Sequence, residues 1–141
     1  MRIAVVDGQG GGIGKNIVEK LRAGLPDDVE IIALGTNAIA TTNMLKAGAN
    51  EGASGENAIL FMADKVDFIV GTIAVLAANS MLGELTPRMA AAIAASPARK
   101  ILLPLNRIGI EVIGVVSEPL PHQISQLVER ILEIWEDEDS V

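Results

Sequence analysis

The chain has 141 residues and a mass of 14.7 kDa, which is the size of a single domain. Half of the residues are hydrophobic and the mean hydropathy is +0.41, so a disordered chain is excluded. The sequence contains no cysteine, no tyrosine and one histidine. This composition excludes disulfides, thiolate or multi-histidine metal sites, and any mechanism that needs a phenol.

The formal net charge is −7, and four consecutive acidic residues occupy positions 136–139. No basic stripe is present, which argues against nucleic-acid binding. The first residues do not form a signal peptide, and no apolar run reaches the roughly 20 residues of a membrane span. We therefore expect a cytoplasmic protein that binds neither nucleic acid nor membrane.

The hydrophobic pattern predicts strands and helices in alternation. Continuous apolar runs are typical of strands buried on both faces, and they lie at Arg2–Val6, Val29–Leu34, Val66–Val70, Lys100–Leu105 and Ile110–Val116. Helical spacing or helix-capping residues predict helices at Ile13–Leu25, Ala38–Ala47, Glu56–Lys65, Thr72–Leu82, Arg88–Ala95 and from Pro119 to Trp135, with Thr86 as an N-cap. The polar stretch Gly48–Gly55 is interpreted as a flexible connection and a candidate lid.

This alternation predicts a doubly wound, Rossmann-like α/β fold, a three-layer sandwich around a mostly parallel sheet of about five strands. We expect the five predicted strands in the order 2-1-3-4-5. Only Asn106–Gly109 separates the last two, which is too short for a parallel crossover. The fifth strand is therefore predicted to be an antiparallel edge strand. Residues 1–135 form the domain, and residues 136–141 form an acidic tail.

A glycine-rich turn follows the first predicted strand and opens the first predicted helix. Its residues are Asp7, Gly8, Gln9, Gly10, Gly11, Gly12, Ile13 and Gly14. Backbone amides and the positive end of the dipole at a helix start favour a phosphate, and glycine lets the backbone approach it closely. The turn therefore predicts a site for a phosphate-bearing ligand. The alternative is that these glycines only permit a tight turn from strand to helix.

Two families have turns of this kind. The spacing of Gly8, Gly12 and Gly14 resembles the turn of short-chain dehydrogenases, with Asp7 in place of their usual threonine. This resemblance implies NAD(P) as a cofactor, although the chain has no tyrosine for their Tyr-x-x-x-Lys pair. Gly11–Lys15 resembles the variant P-loop of the nitrogenase-iron-protein and septum-site ATPases, without the hydroxyl residue that binds magnesium.

The whole chain resembles a domain-of-unknown-function family of short Rossmann-like bacterial proteins. The similarity covers Asp7–Gly14, Ala33–Asn37 and Gly52–Asn57. It implies the fold and leaves the activity open.

The carboxyl ends of parallel strands meet at one edge of a sheet, where ligands usually bind. We therefore expect Thr36, Asn37, Thr72, Asn106 and Arg107 to share a cleft with the glycine-rich turn, with Arg107 as the partner of an anion. No acidic residue follows the second strand, where a ribose-binding carboxylate is expected. No residue pattern predicts a metal site.

The resulting hypothesis is a small nucleotide-binding module that takes NAD(P) or another phosphate-bearing ligand. One alternative is an enzyme acting on an anionic or phosphorylated small molecule, with Asp7 and Arg107 in the cleft. Another is a structural or interaction protein with a vestigial Rossmann-like fold. A small domain has a high surface-to-volume ratio, so its interior cannot readily bury a chain in which half of the residues are hydrophobic. We therefore also expect a homo-oligomer, with Arg88–Ala95 or Ile134 at the interface.

Overall fold

Five parallel strands form one sheet with helices on both sides, and the computed structural model describes residues 1–139. The strands are β1 (Arg2–Asp7), β2 (Glu30–Gly35), β3 (Glu51–Ser54), β4 (Phe68–Thr72) and β5 (Arg99–Leu103), in the order β3-β2-β1-β4-β5. The helices are α1 (Gly12–Gly24), α2 (Ala38–Lys46), α3 (Glu56–Met62), α4 (Pro87–Ala95) and α5 (Leu120–Asp139). A short 3-10 helix spans Ile73–Leu76.

The sheet carries a hydrophobic core on each face, as expected of a doubly wound fold. Side chains from α1, α2 and α5 build one core, which includes Ile17, Leu21, Met44, Ile124 and Ile131. Side chains from α3, α4 and the segment before α4 build the other, which includes Ile59, Leu85, Met89 and Ile93. Successive residues of β1 point alternately into the two cores, which explains why its sequence is continuously apolar.

Strand β3 lies in the stretch that the sequence predicted to be a flexible connection. Its residues pair in parallel with Ile32–Gly35 of β2, at the edge of the sheet. The sequence pattern did not predict this strand because the strand is short, polar and mostly exposed. The four other strands have the predicted order. With β3 added, the order becomes 3-2-1-4-5, which matches five of the six strands in the 3-2-1-4-5-6 order of Rossmann sheets.

The predicted antiparallel edge strand is wrong, since all five strands are parallel. Residues 110–116 belong instead to an irregular segment, residues 104–119, which we call the β5–α5 loop. Gly109 and Gly114 have φ angles of 80° and 92° there, which breaks an extended conformation. The side chain of Asn106 also bonds both the amide and the carbonyl of Ile110, which are groups that a strand would need for its ladder.

The helix predicted over Thr72–Leu82 is also wrong. After the 3-10 helix the chain makes tight turns, in which Asn79, Met81 and Leu82 have φ angles of 66°, 57° and 57°. We call residues 77–86 the β4–α4 loop. It ends at Thr86, whose hydroxyl accepts the Met89 amide at 3.1 Å and caps α4 as predicted.

Helix α5 continues through the acidic residues to Asp139, and positions 140–141 of the predicted tail lie outside the described residues. Ile134, a predicted interface residue, packs within the first core at 4% exposure. Within the described part of the chain, no helix combines the length and apolar character needed to cross a membrane.

Candidate functional site

The glycine-rich turn joins β1 to α1 at the point where the strand order reverses. Strand β2 follows β1 in sequence and lies on one side of it, whereas β4 lies on the other. Helix α2, which follows β2, and helix α4, which follows β4, cover opposite faces of the sheet. This leaves a crevice between the helices at the carboxyl ends of the strands. Ligands of open α/β sheets bind at this crevice.

Asp7 closes the turn with its side chain. Its Oδ1 atom accepts the Gly8 amide at 2.8 Å, and its Oδ2 atom accepts the Gly14 amide at 2.7 Å. Burial raises the pKa of Asp7 above its usual range, and the carboxylate of Glu84 adds to the rise, although the two amide hydrogen bonds oppose it. Asp7 therefore caps the glycine-rich turn through two backbone amides.

Three glycines of the turn are required by packing. A Cβ atom on Gly8 would lie 2.5 Å from the hydroxyl oxygen of Thr36, and one on Gly11 would lie 2.7 Å from the Cα atom of Ala40. Gly11 also has a φ of 70°, in the left-handed region that favours glycine. A Cβ atom on Gly14 would meet the side chain of Asp7 at 2.9 Å. These positions therefore account for part of the glycine pattern without any ligand.

The other two glycines have no such packing role. A Cβ atom on Gly10 or on Gly12 would have no atom within 4 Å, and both residues are exposed. The amides of Gly10, Gly12 and Ile13 donate to no acceptor within residues 1–139, whereas the amide of Lys15 is bonded within the helix start. The start of α1 thus offers free donors beside open space.

Thr36 and Asn37 lie next to the turn, as the sequence predicted. The Thr36 amide donates to the carbonyl of Asp7 at 2.9 Å. The Asn37 side chain donates to the carbonyl of Gln9 at 3.0 Å and accepts the Ala40 amide at 2.9 Å, which caps α2. Asn37 therefore couples the start of α2 to the glycine-rich turn.

Sequence reasoning missed Glu84, in the β4–α4 loop. Its Oε1 atom accepts the Thr36 hydroxyl at 2.6 Å, the Asn37 amide group at 2.8 Å and the Gln9 backbone amide at 2.8 Å. The Thr36 hydroxyl, followed by the Gln9 amide, holds the pKa of Glu84 below its usual range. Glu84 lies 75 positions beyond Gln9 and two residues after the helix that was predicted to end at Leu82, so no local signal pointed to it.

The remaining predicted site residues are not joined to the turn. Thr72 ends β4, is buried, and pairs in register with Leu103 of β5. Asn106 makes its side-chain hydrogen bonds inside the β5–α5 loop, and Arg107 is exposed in the same loop. Among the described residues, no hydrogen bond or ion pair connects Thr72, Asn106 or Arg107 with residues 7–14.

A cavity of about 480 Å³ lies elsewhere, between β5, the β5–α5 loop and α5. Its walls include Leu103, Val115 and Leu127, and Gln123 contributes a side chain whose Oε1 atom is buried without a partner in the described chain. No residue of the glycine-rich turn lines it. The part of the chain that the structure describes contains no group of three or more histidine, aspartate or glutamate side chains placed to hold a metal ion.

A family model described as "Domain of unknown function (DUF3842)" matches residues 2–136. The chain belongs to this family. The match confirms the resemblance to a domain-of-unknown-function family that the sequence indicated. No match was found among curated proteins or among solved structures. The function of this DUF3842 domain has to be argued from its site, because a fold of this type supports many functions.

Proposed function

We propose that this DUF3842 domain binds a nucleotide-type ligand, NAD(P) being the leading candidate, through the phosphate groups at its glycine-rich turn. The observation that carries the proposal is the open start of α1. At the crevice where the strand order reverses, Gly10 and Gly12 leave free space, and the amides of Gly10, Gly12 and Ile13 have no acceptor among residues 1–139.

The chemistry of this position favours an anion. Amides at a helix start donate to phosphate oxygens, and the dipole of a helix adds typically 0.3–1 kcal/mol for a negative charge there. Lys15 lies in the first turn of α1, is exposed, and makes no ion pair within residues 1–139. Its charge is therefore available to a ligand phosphate.

Binding is better supported than catalysis. Both carboxylate oxygens of Asp7 already accept backbone amides, which opposes a role for this residue as a general base. Arg107, the predicted anion partner of an enzyme site, is exposed in the β5–α5 loop and makes no hydrogen bond or ion pair to the turn within residues 1–139. The site thus offers groups that hold a ligand, and neither Asp7 nor Arg107 is placed to transform it.

Calorimetric titration of the protein with NAD⁺, ADP and inorganic sulfate tests the proposal. We expect NAD⁺ and ADP to bind and to raise the melting temperature, since a ligand at ~100 times its Kd adds about 2.7 kcal/mol of stability. The backbone amides of Gly10, Gly12 and Ile13 should shift in NMR spectra, while that of Gly24 at the far end of α1 should not. Absence of binding of all three probes at millimolar concentration would contradict the proposal.

A further inference from the structure

Strand β2 lacks the acidic residue that holds a ribose hydroxyl in dinucleotide-binding sheets of this strand order. Thr36 and Asn37 follow β2 instead. Neither is charged, and both direct a side-chain donor at the carboxylate of Glu84. The residues after β2 therefore do not supply the carboxylate but hold one that comes from another part of the chain.

Glu84 is fixed beside the first residues of the glycine-rich turn. Its Oε1 atom accepts the Gln9 amide in addition to the two side chains after β2. A Cβ atom on Gly8 would lie 3.1 Å from this oxygen, so the carboxylate packs directly against the Gly8 backbone. Residues from the ends of β1 and β2 thus place an anionic group of the β4–α4 loop at the boundary between them.

The second carboxylate oxygen of Glu84 remains available. Three donors occupy Oε1, while Oε2 has no hydrogen bond to any residue between 1 and 139. A carboxylate oxygen accepts hydrogen bonds only, so it pairs with a hydroxyl group. A phosphate group at the same place brings a second negative charge and is repelled.

Among residues 1–139, no cationic side chain forms an ion pair with Glu84. The arginines with ion pairs in the described residues contact Glu30, Glu56 and Glu133, all outside the turn. Recognition of a 2′-phosphate in such sheets relies on a nearby arginine. The surroundings of Glu84 therefore favour a neutral, hydroxyl-bearing group over a phosphorylated one.

We propose that Glu84 is the ribose-binding carboxylate of this domain, supplied by the β4–α4 loop, and that it selects a ligand with a free 2′-hydroxyl against its 2′-phosphorylated counterpart. This inference rests on the proposed function, and it names the class of nucleotide that the site takes.

The test compares NAD⁺ with NADP⁺, a pair that differs only in the 2′-phosphate, by calorimetric titration of three proteins. The wild type should bind NAD⁺ at least tenfold more tightly than NADP⁺. Glu84→Gln, which keeps the shape and an acceptor oxygen, should weaken NAD⁺ binding about tenfold and reduce the preference to threefold or less. The matched control is Glu56→Gln, which alters a carboxylate that accepts the hydroxyl of Thr86, the last residue of the same loop, and should keep the wild-type preference.

Other results separate the failure of this inference from that of the proposed function. Equal affinity of the wild type for NAD⁺ and NADP⁺ overturns the role of Glu84 and leaves nucleotide binding standing. Tighter binding of both dinucleotides by Glu84→Gln also overturns the role of Glu84, because the Glu84 side chain would then block the site. If neither dinucleotide binds to the wild type, both proposals fail together. Melting curves of the unliganded variants verify that each protein is folded.

Discussion

The carboxylate of Asp7 accepts the amide of Gly14 at 2.7 Å, so the last residue of β1 is bonded to the first turn of α1. The same side chain accepts the amide of Gly8, the residue that follows it. One side chain therefore closes both ends of the glycine-rich turn. This places the free amides of Gly10 and Gly12 between two fixed points, which makes the turn preformed rather than dependent on a ligand.

Replacement of Asp7 by alanine removes the acceptor of two backbone amides. Because a buried donor without a partner costs roughly 1–3 kcal/mol, we expect Asp7→Ala to lower the free energy of unfolding by about 2 kcal/mol in urea titrations. Asp27→Ala, at an exposed position, is the control and should change it by less than about 0.5 kcal/mol. Equal stability of the two variants would show that Asp7 does not hold the turn.

Acid should remove the contribution of Glu84 to stability. Its pKa is lowered in the folded protein, chiefly by the Thr36 hydroxyl, so the folded state favours the charged carboxylate. That contribution is complete above the ordinary glutamate pKa of about 4.3 and is lost as the pH falls through the lowered folded value. The raised pKa of Asp7 acts in the opposite direction, because the folded state then binds a proton more readily.

The measurement is the melting temperature of the wild type and of Glu84→Gln between pH 7 and pH 3. Comparison of the two proteins removes most of the effect of Asp7, which both contain. The wild type should be the more stable protein near neutral pH, and its advantage should shrink below about pH 4.3. A constant difference across the range would contradict the assignment of a lowered pKa to Glu84.

Local sequence patterns predicted the buried strands β1, β2 and β4 and missed the exposed strand β3. Strand β1 is continuously apolar because both of its faces lie in a core. The sequence pattern therefore predicts this strand, together with the glycine-rich turn and the helix that follow it. Strand β3 is polar and exposed at the sheet edge, so no apolar run marked it. Residues 110–116 are apolar and were predicted to form a strand, but they lie in an exposed loop, since Gly109 and Gly114 have positive φ angles.

In the candidate site, the sequence predicted the glycine-rich turn but not Glu84. The glycine-rich turn is contiguous in sequence, and its position at a strand end could be derived from the pattern alone. Glu84 reaches Gln9 only because the β4–α4 loop folds back through left-handed residues such as Asn79 and Met81. Non-glycine residues rarely adopt this conformation, so the sequence gives no signal for it.

The glycines of the turn should differ in their tolerance of alanine. Gly11 has a left-handed φ and lies against the backbone of Ala40, so Gly11→Ala should lower the free energy of unfolding by more than about 1–2 kcal/mol. Gly12 faces open space with an ordinary φ, so Gly12→Ala should change it by less than about 0.5 kcal/mol. Urea titration of both variants measures the contrast, and similar losses would mean that the open space at Gly12 is absent in solution.

We also propose that the chain forms a homo-oligomer through the β5–α5 loop. Ile113 and Val116 in this loop are 94% and 71% exposed, next to the unpaired edge of β5. Light scattering should give a multiple of the monomer mass in the micromolar range, and Ile113→Glu should reduce it to one. Ile39→Glu, an exposed position on α2, is the control and should leave the mass unchanged. A monomer mass for the wild type contradicts the proposal.

Gly12→Val separates a binding role of the glycine-rich turn from a folding role. Apart from its chain neighbours and the backbone of α1, a Cβ atom at this position has no atom within 4 Å, so the variant should fold. Because the proposed phosphate position lies in the open space in front of the free amides, binding of ADP should weaken at least tenfold in calorimetric titration. Ala23→Val, which places the same branched side chain at an exposed position near the far end of α1, should bind ADP like the wild type. Unchanged ADP binding by a folded Gly12→Val protein would place the ligand away from the start of α1. Loss of both folding and binding would show that Gly12, like Gly8, Gly11 and Gly14, is required by the packing of the turn.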